Sequence, residues 1–204
     1  MEYGICNIAG NVIAKFVAPV TVRSNVPVFV SDTLSLSRHV SKRSAQRWEI
    51  EASVEPLSTT ANELFVSLVT KGHYETVDVN VPQNYAVIVG NEVANASNTP
   101  YAATAGNANA TSVTLGTAFN NTCKLLAGTF IKFSGHTKVY MLTADATGGT
   151  LYIFPGLFQS VAGNSLIFKD VKMTCYYDTD TISGMSYSDG ILMNMGTIKL
   201  VEKV

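Results

Sequence analysis

Apolar and polar positions alternate with a period of two over much of this chain, the pattern of a sheet strand with one buried face. From Arg47 to Val54 the apolar set is Trp48, Ile50, Ala52 and Val54, and the other face carries Arg47, Glu49, Glu51 and Ser53. Thr76 to Val81 repeats the pattern, with Val77, Val79 and Val81 set against Asp78 and Asn80, until Pro82 removes the next ladder amide. Further short runs are rich in β-branched and aromatic residues: Phe130, Ile131 and Phe133, then Val139–Thr143, Leu151–Phe154, Val171–Tyr177 and Thr197–Val201. Gly148-Gly149 supplies a turn among them. One segment has a helical period instead. After Pro56, Leu64, Phe65, Leu68 and Val69 form one stripe, Thr60 and Glu63 a capping box, and Gly72 a stop. The predicted class is mainly β with one α-helix.

Two stretches carry less pattern. Val26–Val30 is β-branched and Ser31–Val40 is polar enough for a loop or a hairpin arm. From Asn91 to Thr122 the chain is mostly Ala, Asn, Thr, Gly and Ser, with Glu92 as its single charge, so it supplies little core beyond a strand at Val113 and Leu115. The loop predicted between the last two strands holds Asp178, Asp180, Gly184 and Asp189.

Composition sharpens this picture. At 204 residues and 47% hydrophobic the chain has material for a real core, yet only 14% of it is charged, against about a quarter in ordinary soluble domains. Such a surface is expected to be partly covered by neighbours. A net charge of −1 gives no field to draw in nucleic acid or an anionic membrane. Cys6, Cys123 and Cys175 are odd in number and in no CxxC pair, so they read as reduced, buried thiols of a protein assembled in a cytosol. Glu2 and Lys15 interrupt what would otherwise resemble a signal peptide, and no apolar run is long enough to span a membrane.

The chemistry-bearing residues do not converge. His39, His73 and His136 fall in different elements and read as isolated surface or turn histidines. Asp178 and Asp180 lack the rest of a calcium loop and read as a solvated turn. Glu49, Glu51, Glu55 and Glu63 could supply a glycosidase pair on paper, but their strand and helix faces predict solvated charges. No nucleophile elbow, P-loop or dinucleotide fingerprint is present. Arg38, Lys42, Arg43 and Arg47 make one basic cluster. Trp48 beside them points to the core face, so an intersubunit patch is expected instead of a nucleic-acid platform with interleaved aromatics. Glycan binding would use rings such as Tyr101, Tyr140 and Tyr152, of which the last two sit in strands and are expected in the core. The sequons at Asn95, Asn109 and Asn120 read as accidents of an Asn-rich segment. No catalytic, cofactor-binding or metal-binding residue is predicted, no cofactor, and no enzyme activity.

Two segments carry a resemblance. Lys42–Tyr85, with KRSAQRWEIE, the helical stripe and KGHYETVDVNVPQNY, and Ala127–Phe158, with AGTFIKFSGHTKVYMLT and LYIFPGLF, resemble the distal tail proteins of T5-like siphophages. The second resembles a segment reused in several phage virion proteins. This resemblance implies a tail-tube-like β-sandwich ring domain at 1–86 and 171–204, with a small OB-like β-barrel inserted at 87–170. It implies a hexameric ring in the virion tail, assembled in the host cytoplasm, between the tail tube protein and the tip or hub protein, with DNA passing unbound through its lumen and no membrane partner. The alternatives are another tail-tip, baseplate or adaptor protein and a glycan-binding accessory module. Ring contacts are expected around Val26–Arg47 and Ile182–Thr197.

Overall fold

The structure is a computed structural model. It describes residues 3–42, 45–57, 63–64, 66–67, 75–83, 88–89, 102–116, 124–146, 149–178, 186–188, 191–194 and 196–204. The described residues are mainly β, with 56% of them in strands arranged in several sheets. Strand β1 (Gly4–Cys6) pairs with β6 (Val77–Asn80), and β2 (Val12–Asn25), β5 (Arg47–Pro56), β18 (Thr197–Glu202) and β15 (Lys172–Asp178) follow one another in a longer ladder. By its internal contacts the chain divides into two compact units, Met1–Val12 with Asp78–Thr174, and Ile13–Val77 with Cys175–Val204.

The unit of Ile13–Val77 and Cys175–Val204 is built on antiparallel ladders. β2 pairs with β5, β5 with β18, and β18 with β15. The alternation read at β5 is what it buries: Trp48, Ile50, Ala52 and Val54 lie in the core with Ile198 and Leu200 of β18 and with Cys175 and Tyr177 of β15. Each such side chain withdrawn from water contributes about 1.5–3 kcal/mol. β2 has a register shift between Val17 and Thr21, where Pro19 can leave the ladder without wasting an amide. Beyond Phe16 most of β2 is exposed, and the strand runs past the core to Asn25. Of the predicted helix, Glu63, Leu64, Val66 and Ser67 are helical, while Thr60, Phe65, Leu68, Val69 and Gly72 lie outside the described residues.

The unit of Met1–Val12 and Asp78–Thr174 carries a six-stranded antiparallel sheet. Its order is β14 (Leu166–Ile167), β11 (Phe130–Phe133), β12 (Val139–Leu142), β13 (Thr150–Phe154), β9 (Ser112–Leu115) and β8 (Ala103–Ala105). A bridge between Ala102 and Ser165, with Ala103 N donating to Asn164 O at 2.8 Å, brings the two edge strands together, so the sheet curls onto itself. Ile131, Phe133, Tyr140, Leu142, Leu151 and Ile153 face inward, and Leu157, Val161 and Phe168 close the core. Gln83 ties this layer to the chain entering it: its Oε1 accepts from Phe130 N and its Nε2 donates to Phe168 O.

Two sequence expectations need correction here. The first 25 residues, read only as apolar, form β1 and β2; their alternation was hidden by Ala18-Pro19, which sits in the register shift. Part of the loop predicted from Asp178 to Asp189 is regular: Asp178 ends β15, and a hairpin, β16 (Ser186–Ser188) with β17 (Ile191–Asn194), follows. Asp180, Gly184 and Asp189 lie outside the described residues, as does Gly148 of the predicted turn. The remaining strands end within a residue or two of their predicted bounds, apart from short ones such as β8 and β14, which have too few residues to show a period.

Candidate assembly interface

Between β2 and β5 the chain leaves the sheet. β3 (Val28–Asp32) and β4 (Arg38–Lys42) pair with each other, from Val28 opposite Lys42 to Asp32 opposite Arg38, and among the described residues with no other strand. Pairing register sorts their side chains into two faces. One carries Val28, Val30 and Val40 beside the Asp32–Arg38 ion pair; the other carries Phe29, Ser31, His39 and Ser41. Neither face is covered: Phe29 is 70% exposed, and Val28, Val30 and Val40 are exposed as well. A two-stranded hairpin is marginal in water on its own, and a patch of this kind marks a contact surface.

The tip is held by its own polar groups and presents two leucines. Thr33 N donates to Ser37 O at 3.0 Å, Leu36 N to Thr33 O at 2.9 Å, and Ser37 N to Thr33 Oγ1 at 3.2 Å. These bonds leave Leu34 and Leu36 outside, fully exposed and 90% exposed respectively. Leu36 has φ 61°, the left-handed region that suits glycine and disfavours a bulky side chain. A branched residue is thus kept, under strain, at the exposed tip of the arm.

Where the arm joins the sheet, charges knit the strands. Glu49 Oε1 accepts from Asn25 Nδ2 at 2.7 Å and from Arg47 Nε at 3.3 Å, and Lys199 Nζ lies 3.8 Å from Glu49 Oε2 and 3.1 Å from Asp178. The Asn25 hydrogen bond, more than the nearby Lys199 and Arg47 charges, holds the Glu49 carboxyl below the usual carboxylate range. The Asp178 hydrogen bond, followed by the Glu49 charge, raises the Lys199 ammonium. On the neighbouring part of the sheet Glu202 accepts from Trp48 N at 3.0 Å. Beside this base is an open recess of about 380 Å³ lined by Asn25, Pro27, Ala45, Gln46, Arg47 and Val204.

These positions revise several sequence readings. Glu49 is not a solvated charge: it is 8% exposed, because partners remote in sequence satisfy it. Asp178 is not in a turn but in β15, paired with Lys199. His136 is not at the surface either. It is buried beside Phe133, and burial lowers its pKa. Tyr140 is fully buried as expected, whereas Tyr152 is 54% exposed and lies with Phe154 on the outer face of β13. Leu151 and Ile153 fix that face, a signal already present in the period of two. Glu51, Glu55, Glu63 and His39 are away from the core, with Arg23 3.2 Å from Glu51. The basic cluster separates: Arg38 pairs with Asp32 and Arg47 with Glu49, while Trp48 is in the core as expected. Cys6 and Cys175 are buried, and burial pushes the Cys6 thiol up and away from reactivity.

His73, Arg43, Tyr101, Cys123, Asn95 and Asn120 lie outside the described residues; Asn109 is exposed in a turn at φ 68°. Among the described residues no three His, Cys, Asp or Glu side chains gather as metal ligands, and no helix is long and apolar enough to cross a membrane. Leu34 and Leu36 were not singled out from sequence, although two leucines alternating with Ser and Thr in a turn have no buried side to serve. Compared with known proteins, the chain matches no family model and no curated protein.

Proposed function

We propose that this protein is a structural component of a phage tail, a distal tail protein whose copies form a hexameric ring joining the tail tube to the tip or hub and lining the DNA conduit. The observation that carries this reading is the uncovered β3–β4 arm, six large apolar residues (Val28, Phe29, Val30, Leu34, Leu36 and Val40) held out on a hairpin with no fold of its own to stabilise. A charged fraction of 14% and the resemblance of Lys42–Tyr85 and Ala127–Phe158 to tail proteins support it. In this reading residues 1–86 and 171–204 act as the tail-tube-like β-sandwich ring domain and residues 87–170 as an inserted OB-like barrel. The chain needs no cofactor, performs no catalysis, binds passing DNA without specificity and takes no membrane partner; another tail-tip, baseplate or adaptor position is the nearest variant.

Cryo-electron microscopy of intact tails tests this directly. A six-copy ring directly below the tube is the expected result, and copies confined to outer fibres, or absence from the particle, would overturn it.

A second reading has an observation of its own. Tyr152 and Phe154 stand on the outer face of β13, with Met141 paired to Phe154 and Ser112 to Tyr152 across the sheet, a ring-bearing surface of the kind that stacks on sugars. Under it the inserted domain binds glycan as an accessory. Titration of cell-wall oligosaccharides followed by tyrosine fluorescence, repeated on Tyr152→Ala, decides between a saturable, Tyr152-dependent change and none.

A further inference from the structure

The recess at the arm base and the leucine tip belong to one chain and fit one another in chemistry. We propose that the Leu34–Leu36 tip of one copy seats in the recess lined by Asn25, Pro27, Ala45, Gln46, Arg47 and Val204 of a second copy. This contact rests on the assembly reading above and names its knob and its hole.

Four observations carry it. The tip places two almost fully exposed leucines on a polar turn, and Leu36 holds a left-handed backbone there that a glycine would hold with less strain. The recess is open, its lining largely apolar, and at about 380 Å³ it is in the range of sites that take up small apolar groups. A copy cannot fill its own recess, because five-residue strands at about 3.4 Å per residue keep the tip about 17 Å from the base. Charge is complementary as well. Asp32 flanks the tip and is only loosely paired with Arg38 at 3.8 Å, both well exposed, and Arg47 stands half exposed on the rim of the recess while bonded to Glu49. A knob and a hole at different places on one chain make a heterologous contact, which closes into a ring when its rotation divides a full turn and otherwise continues as a chain.

The test uses the full chain carrying Leu34→Cys together with Ala45→Cys under mild oxidation. Both positions are exposed, so neither change disturbs the core, and Cys6 and Cys175 are buried. The double variant should give a ladder of disulfide-linked multimers on denaturing gels, ending at the ring number; each single variant should stop at dimers. In parallel, Leu34→Asp with Leu36→Asp should abolish the assembly seen by light scattering while leaving the circular dichroism spectrum unchanged. If the wild-type chain forms closed rings and the double-cysteine variant gives no ladder, this contact is wrong and the ring reading stands. A ladder from open chains that never close would retain the contact and remove the ring. A wild-type chain that stays monomeric at every concentration, with no ladder, sinks the proposal.

Discussion

Phe133 and Phe29 are both phenylalanines on antiparallel strands, and they meet opposite fates. Phe133, on β11, is fully buried and meets Tyr140 edge-on with ring centroids 5.8 Å apart; Phe29, on β3, is 70% exposed. The same contrast runs through their surroundings. Around Phe133, Ile131, Leu142, Leu151, Ile153 and Leu157 share one core, while Phe29 faces water from one side of a two-stranded ladder and the valines of the arm from the other. Apolar residues that stabilise the fold are found where strands have a second layer. Those on the arm contribute little to the isolated chain, and in the proposed assembly they serve a contact made after folding.

The largest expected effect breaks this comparison if it is false. Phe133→Ala removes a filled core position and should cost about 3–5 kcal/mol in urea unfolding, whereas Phe29→Ala should fall within about 0.5 kcal/mol of the parent. Their order in assembly should be the reverse. Phe29→Ala weakens association in sedimentation velocity while its unfolding midpoint stays in place. Equal losses of stability in the two variants would mean that the arm packs on its own chain and is no docking element.

Much of this division could be read from the chain before any coordinates, and the exceptions have physical causes. β5 was legible because it has an unbroken period of two with distinct faces, and β12 and β13 because each is a short run of apolar, β-branched and aromatic residues. β2 was not, since Ala18-Pro19 falls in a register shift that no local pattern announces. Nor was the burial of Glu49, which depends on Asn25 and Lys199, residues that only the pairing of β2, β5 and β18 brings beside it. For the arm, Val28 and Val30 predicted a strand and the hairpin was foreseen as a possibility, but whether anything covers its two faces is a property of the third dimension. Alternation also told which side of β13 Tyr152 occupies, and the expectation of a buried ring there overlooked Leu151 and Ile153.

A smaller effect sharpens the comparison at the tip. Because Leu36 sits at φ 61°, Leu36→Gly relieves a left-handed strain of about 1–2 kcal/mol, offset by the greater freedom of glycine in the unfolded chain, about 0.5–1 kcal/mol. The variant should therefore be about as stable as the parent or up to about 1.5 kcal/mol more so, and should assemble less well. A stabilising substitution that weakens self-association separates folding from docking in one residue. Loss of stability with unchanged assembly would show that Leu36 serves the hairpin itself.

The smallest effect lies where the two regimes meet, at the base of the arm. The Glu49 carboxyl is depressed chiefly by the Asn25 hydrogen bond, with Lys199 and Arg47 adding to it. A carboxyl whose pKa is lower folded than unfolded contributes stability that is present in full above the ordinary carboxylate range and is lost as pH falls through the folded value. Stability measured from neutral pH down through that range should therefore decline, and Asn25→Ala should flatten the decline by returning Glu49 toward its ordinary pKa. The effect on the core sheet holding Phe133 should be absent, since neither Asn25 nor Glu49 belongs to it, so hydrogen exchange resolved by segment is the suitable measurement. Acid should loosen the amides of β2 and β5 near the arm while those of β11 and β12 stay protected. If both sets open together, the base of the arm is no separate element, and the contrast between a covered and an uncovered pair of strands would have to be drawn within a single cooperative unit.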